Sequence, residues 1–322
     1  MKNHTTAVKR ALHFLGCLLL LLQAPLAGDP ARLGDRWQIE LFGGMSYTNP
    51  HDLNLIPKAE EKYNDIYFIR YAGGGSGYFV NDFPQITSAW QGGIRLKLRL
   101  SRSFSLSLAA EGMDRQASQS LAGTFTFKGR EYLEEYNKRY DPFQLHLSAF
   151  ALLAGVHYRL PVGAQTELEV GTAAGWTRAR FDFSSTWAYT VNYVEGDYRY
   201  HLDNNGILEG DGKGDGWLAQ ASVRLNRALG KRLGFFVETT VSYCRIGSLR
   251  GSGREVLQGI PGEKTWQGEW GIKRENISRP WYTTEVDTAT NFWESWTAGQ
   301  RLRDFVLNLS GVRLAAGIYV RF

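Results

Sequence analysis

Cysteine is almost missing from this sequence, with two among 322 residues, Cys17 and Cys244. Cys17 sits in an N-terminal stretch that reads as an export signal, so the processed chain keeps Cys244 alone. That excludes an intrachain disulfide and a cysteine-rich metal centre. Long hydrophobic runs are also missing. The one that exists, Ala11 to Leu22, is shorter than the ~20 residues of a membrane-spanning helix. It follows Lys2, Lys9 and Arg10, and together these predict a secretory signal over residues 1–28, cleaved near Ala27 or Gly28. Phe14-Leu-Gly-Cys17 resembles a lipoprotein box, but five leucines follow Cys17, which favours a plain signal peptide. A strong charge of one sign is the third absence. The signal holds three basic residues and no acidic ones, so 37 Lys plus Arg fall to 34, against 32 Asp plus Glu. Charge then gives no support to a nucleic-acid partner.

What is present is aromatic and small: 17 Phe, 16 Tyr, 10 Trp and 36 Gly, a mixture that suits strands and turns. The last twelve residues show the pattern best. Val312, Leu314, Ala316, Ile318, Val320 and Phe322 fall on one face; Arg313, Tyr319 and Arg321 fall on the other. That is the period-two alternation of a strand with one apolar and one charged side. The same alternation recurs over Trp37–Tyr47, Ile94–Leu100, Phe104–Glu111, Phe143–Arg159, Glu167–Trp176, Trp217–Leu225 and Leu233–Ser242, and the final strand begins near Phe305.

The connections alternate in length. Tight turns are expected at Ser101–Ser103, Pro161–Ala164 and Leu229–Arg232, and long loops near 48–85, 128–142, 192–215 and 247–304. Short turns on one rim and long loops on the other are the pattern of an outer-membrane barrel. Since only helices and closed barrels satisfy all backbone groups in lipid, the expected fold is all-β. It is a transmembrane antiparallel up-and-down β-barrel of eight strands over residues 29–322, with periplasmic turns and extracellular loops. The location implied is the outer membrane of a Gram-negative-type cell.

On this alternation and on the C-terminal residues Gly317, Val320 and Phe322, the chain resembles the small outer-membrane β-barrel proteins, the OmpA/OmpX/OmpW-like group. The resemblance spans the processed chain as architecture. It implies that the last strand is the insertion signal read by the barrel-assembly machinery. Ala315 stands where that signal usually has a polar residue.

Candidate chemistry lies in three places. Glu40, Arg95, Lys97, Arg99, Glu111, Glu167, Glu169, Arg224, Glu238 and Arg313 fall on the polar faces of the strands. An eight-stranded barrel is just wide enough for its side chains to fill, so these charges are expected to pair as an interior network. Trp266, Trp270, Trp281, Trp293 and Trp296 crowd the last long loop as a candidate ligand platform or loop core. Trp37, Trp90, Trp176, Trp187 and Trp217 lie near strand ends, as membrane-boundary girdles do. His146 and Ser148 share one strand face and could serve acyl transfer. Asp211-Gly-Lys-Gly-Asp-Gly216 resembles a calcium loop only loosely, with Lys213 at a ligand position and Ser222 where Glu should stand, so a solvated loop is expected.

The expected function is a non-catalytic barrel with a filled polar interior, acting in envelope structure or through its surface loops. Its partners are outer-membrane lipid, the assembly machinery and a surface ligand of unknown kind. No cofactor and no metal are expected. A small channel of ten or more strands is the first alternative, and a lipid-modifying enzyme the second.

Overall fold

The computed structural model describes residues 36–56, 75–79, 83–128, 132–257, 263–273, 286–289 and 302–322. Fourteen strands lie among them. They are β1 (Trp37–Thr48), β2 (Gly75–Phe79), β3 (Ser88–Arg99), β4 (Phe104–Lys128), β5 (Tyr132–Pro161), β6 (Thr166–Glu195), β7 (Tyr198–Ala228) and β8 (Leu233–Ile246), then β9 (Arg250–Leu257), β10 (Glu263–Lys273), β11 (Val286–Ala289), β12 (Leu302–Asp304), β13 (Leu307–Asn308) and β14 (Gly311–Arg321). Eight of these close into an antiparallel ring, β1-β3-β4-β5-β6-β7-β8-β14. β14 completes it by pairing with β1 from Gln38↔Arg321 to Thr48↔Gly311, and with β8 on its other side. Closure leaves no unpaired edge in the wall, as lipid requires.

The wall has an outer belt. On β1 the outward positions are Trp37, Ile39, Leu41, Gly43, Met45 and Tyr47; on β14 they are Val312, Leu314, Ala316, Ile318, Val320 and Phe322. The outward positions of β3 from Trp90 to Leu98, β4 from Phe104 to Gly112, β5 from Phe150 to Leu160, β6 from Leu168 to Trp176, β7 from Trp217 to Leu225 and β8 from Leu233 to Tyr243 likewise include no charged residue. The ten steps from Trp37 to Tyr47 cover ~33 Å of strand, or about 25 Å of membrane normal at the ~40° tilt of such barrels. Exposed aromatic residues mark both rims: Trp37, Phe104, Tyr158, Phe235 and Phe322 at one, and Tyr47, Trp90, Trp217 and Tyr243 at the other.

Two connections expected as loops are strand instead. β4 and β5 pair from Phe104↔Tyr158 up to Lys128↔Leu133, so 128–142 is mostly the start of the descending arm of a long hairpin. β6 and β7 pair without a register shift from Thr166↔Arg227 to Glu195↔Tyr198, which takes in nearly all of 192–215. Their turn is tight, with Gly196 at φ 56°, the positive φ that a two-residue hairpin turn takes at a leading glycine. The stretch from Asp211 to Gly216, expected as a solvated loop, is part of β7: Asp211, Lys213 and Asp215 point outward, while Gly212, Gly214 and Gly216 point inward. Side chains at Gly214 and Gly216 would run into Ile246, and at Gly214 also into Leu249. The glycines therefore make room for a core.

That core inverts the polarity of the wall. Above the belt the inward residues are apolar: Phe143, Leu145, Leu147, Ala179, Phe181 and Phe183 on β5 and β6, with Cys244, Ile246 and Leu249 from β8 and its exit. Leu53, Ile56, Phe83 and Ile86 from the first connection, and Phe305, Leu307 and Leu309 before β14, fill the space between. Trp187 packs against this core, so it is not a girdle residue. Of the other connecting strands, β2 pairs with the upper end of β4, and β9 with the upper part of β7. Neither enters the ring within the belt.

Candidate functional site

The charged inward residues in the middle of the belt form one ionic network. Alternation delivers them: each lies between two outward uncharged residues, and each is almost fully buried in the lumen. Arg95 holds Glu238 with two hydrogen bonds, Nη1 to Oε2 at 2.7 Å and Nη2 to Oε1 at 3.0 Å, and reaches Glu40 at 3.2 Å. Arg224 donates to Glu40 Oε2 at 2.5 Å and lies over the Phe236 ring, 3.4 Å from its centroid. Arg313 donates to Glu111 at 2.8 Å and to Glu238 at 2.9 Å. Lys97 pairs with Glu169 and lies 3.1 Å from Glu40. Four carboxylates thus face four cations, and the layer is formally neutral. A buried pair is costly to assemble but still more costly to break on one side. Such a layer specifies which strands meet and in what register, because every carboxylate except Glu169 is shared by two or more strands' cations.

Arg99 and Glu167 lie apart from this layer, at the periplasmic rim, 3.7 Å from each other and about one-third exposed. Glu167 is bonded there by Arg321 at 3.2 Å. Several members of the network were not singled out from the sequence. Gln91 and Gln220 donate to Glu111 at 2.9 and 3.0 Å. His157 lies between Ser107, 2.8 Å from its Nε2, and Glu169, 3.1 Å from its Nδ1. Parity along β5 would have found His157 and Arg159, which share the odd-numbered inward face. His146 and Ser148, the polar pair noted in the sequence, share the other, even-numbered face with Gln144. They face outward, above the belt, where polar residues belong outside.

His146 is bracketed by carboxylates on both neighbouring strands. Its Nδ1 lies 3.1 Å from Asp182 and its Nε2 2.8 Å from Asp114. Partial burial alone would push its pKa down. The hydrogen bonds to Asp114 and Asp182 outweigh that and raise it above the ordinary imidazole value. Asp211 is likewise engaged, accepting from the Ser252 amide at 3.1 Å and its hydroxyl at 2.6 Å, and Asp215 accepts from Arg178 at 2.7 Å. These carboxylates brace neighbouring strands in extended chain.

Trp266 and Trp270 lie on β10. Trp281, Trp293 and Trp296 fall outside the described residues, as does the expected signal over 1–28. Val320 and Phe322 face outward in the belt, and Gly317 faces inward against Phe236, where a side chain would collide with the ring. Gly317 is thus needed for packing whatever reads the strand during assembly.

A closed eight-stranded antiparallel ring, a charged and filled lumen and an uncharged outer belt of membrane thickness define the class: a small transmembrane β-barrel of outer-membrane type. No family model matches the chain, and no curated protein does. Among solved structures it is similar to the outer membrane protein OprG from Pseudomonas aeruginosa, at 11% identity and a TM-score of 0.31, over 89% of this chain and 97% of that one. It is also similar to the outer membrane protease OmpT from Escherichia coli, at 8% identity and a TM-score of 0.34, over 90% and 98%. A FadL homologue of Pseudomonas aeruginosa follows at 7% identity and a TM-score of 0.18, over 89% and 91%. The class rests on this chain's own ring and belt.

Proposed function

We propose that this protein is a non-catalytic outer-membrane barrel with a sealed lumen, which serves the envelope structurally and displays a rigid extracellular lobe. In this reading residues 1–28 direct export, and β14 presents Gly317, Val320 and Phe322 to the assembly machinery. The Trp-bearing segment between β9 and β14, with Trp266 and Trp270 on β10, is the surface offered to a ligand. The observation that carries the proposal is the double seal. A neutral ionic layer fills the lumen within the belt, and an apolar core built from the first and last connections fills it above. Water and ions would have to disrupt both layers to pass.

The channel alternative loses its premise, because the connecting strands add to the sheet above the belt and not to the ring. Proton chemistry gives the acyl-transfer alternative no support. A general base needs a free nitrogen aimed at its nucleophile, and both nitrogens of His146 face carboxylates that favour the doubly protonated ring. In planar bilayers the purified protein is expected to give no conductance steps. Discrete ohmic steps from folded, heat-modifiable protein would reject the sealed reading. Lipid A acylation is expected to be unchanged when the protein is expressed.

A further inference from the structure

The two rims of the belt carry their outward charges differently. Above the belt, cations are interspersed with acids: Arg178 holds Asp215, Arg254 holds Glu209, and His146 lies between Asp114 and Asp182. At the periplasmic rim the charged side chains on outward and turn positions are cations. Arg102 lies in the β3–β4 turn, Arg227 is the outward residue that follows Leu225 on β7, and Lys231 and Arg232 lie in the β7–β8 turn. All four are exposed, and none takes part in an ion pair among the described residues. Glu167, the acidic side chain at this rim among the described residues, belongs to the lumen side, where Arg321 bonds it.

Three of the cations gather at the β7–β8 turn. Its backbone is fixed, because the Leu229 and Gly230 amides donate to the Leu233 carbonyl at 2.9 and 3.2 Å. The Ala228 amide donates to the Gln165 carbonyl in the neighbouring β5–β6 turn at 2.9 Å. Arg227 stands in register opposite Phe235, one of the exposed aromatic residues of the rim. Rim aromatics sit at headgroup level, so the Arg227 guanidinium lies at the depth of lipid phosphate, with its stem along the apolar wall. The same two turns expose apolar side chains, Leu229 at 62% and Val162 at 65%. Such residues gain nothing from water and gain from contact with the edge of the acyl layer. Apolar tips beside a cluster of unpaired cations have the make-up of an interfacial anchor for acidic lipid.

We propose that the β7–β8 end of the periplasmic rim binds anionic glycerophospholipid, with Arg227, Lys231 and Arg232 holding the phosphate of headgroups that carry no amine. The proposal rests on the membrane-barrel reading and its periplasmic placement of the short turns. A headgroup with its own ammonium is already neutral, whereas a net negative one leaves its charge for the protein. Each cation near an anionic lipid surface contributes about fivefold in affinity.

The test uses the mature chain refolded into dioleoylphosphatidylcholine vesicles that hold a trace of spin-labelled phosphatidylglycerol or spin-labelled phosphatidylcholine. Electron spin resonance gives the relative association constant of each lipid from its motionally restricted fraction. Phosphatidylglycerol should be favoured about twofold or more, averaged over the whole lipid shell. The preference should disappear in the triple variant Arg227→Gln, Lys231→Gln, Arg232→Gln, and in wild type at ~1 M salt, where the Debye length is ~3 Å. It should persist in the double variant Lys213→Gln, Arg245→Gln, which removes two exposed cations above the belt. If the triple variant gives no heat-modifiable protein, Lys231→Gln with Arg232→Gln takes its place and should lose about half of the preference or more. Equal restriction of the two lipids by wild type, a preference unchanged in the turn variants, or equal loss in the double variant above the belt would each overturn the proposal. Binding to isolated peptidoglycan through the same three residues, without a lipid preference, would assign them to an acidic wall polymer and overturn it as well. A chain that restricts neither lipid and shows no heat-modifiable form would reject the membrane-barrel reading itself, and the proposal with it.

Discussion

Glu238 is the residue on which the ionic layer turns, since it accepts from both Arg95 and Arg313 while 1% exposed. Glu238→Gln keeps its shape and removes its charge. It leaves two buried guanidinium groups short of a partner, and the expected cost is ~3–5 kcal/mol. A lower temperature for the shift between folded and unfolded gel mobility would register it; an unchanged midpoint would mean that the charge contributes nothing net. His146 tests the other side of the belt. Its raised pKa comes from Asp114 and Asp182, so its stabilising contribution is fully present below the ordinary imidazole pKa of ~6.5. That contribution is lost as pH rises through the elevated folded value. Wild type should therefore exceed His146→Gln in unfolding midpoint at pH below ~6, with the gap closing at alkaline pH. A gap that stays constant across that range would remove the proton from the explanation.

At the scale of strands, the membrane-spanning segments were legible because lipid imposes one rule on all of them. Outward residues must be apolar, inward residues can be charged, and the alternation from Ile94 to Arg99 or from Val312 to Phe322 states it plainly. Ring closure by β14 also follows from that final strand. The extracellular halves of β4 to β7 were not legible, because the rule reverses there. Along β5 the odd-numbered face holds Phe143, Leu145 and Leu147 above the belt but His157 and Arg159 within it, while the even-numbered face goes from His146 and Ser148 to Val156 and Tyr158. Sorting by polarity therefore exchanges the two sides of the wall midway along one strand. In β7 the signal is masked again, since glycine in every second place reads as a loop when the partner that needs the space, Ile246, is 30 or more residues away. Gly214→Val separates these readings. A solvated loop would tolerate valine with little change, whereas an inward strand position against Ile246 and Leu249 should lose ~1–3 kcal/mol through overpacking. Thermal unfolding of the folded barrel measures the difference.

For the whole molecule, the two fillings are chemically independent, so each should seal the lumen without the other. The apolar core is tied in place by polar residues: Asp52 accepts from the Val306 amide at 2.8 Å, and Asn54 both donates to the Ile86 carbonyl at 2.8 Å and accepts from its amide at 2.9 Å. The Asp52 bond joins the first connection to the last one across the barrel mouth, and the Asn54 bonds close the first connection on itself. Neutralising the ionic layer with Glu238→Gln and Arg313→Gln leaves that cap intact, and opening the cap with Phe181→Ala and Phe305→Ala, which removes a ring pair stacked at 5.3 Å, leaves the ionic layer intact. Neither pair alone should produce conductance in a planar bilayer. The four changes together remove two charges from the constriction and two rings from the mouth, and a polar, partly hydrated path then connects the two sides. Small-amplitude steps are expected only from that quadruple variant, checked for folding by its gel mobility. Conductance from either double variant would show that one layer alone closes the pore, and silence from a folded quadruple variant would show that the remaining side chains of an eight-stranded wall suffice to fill it.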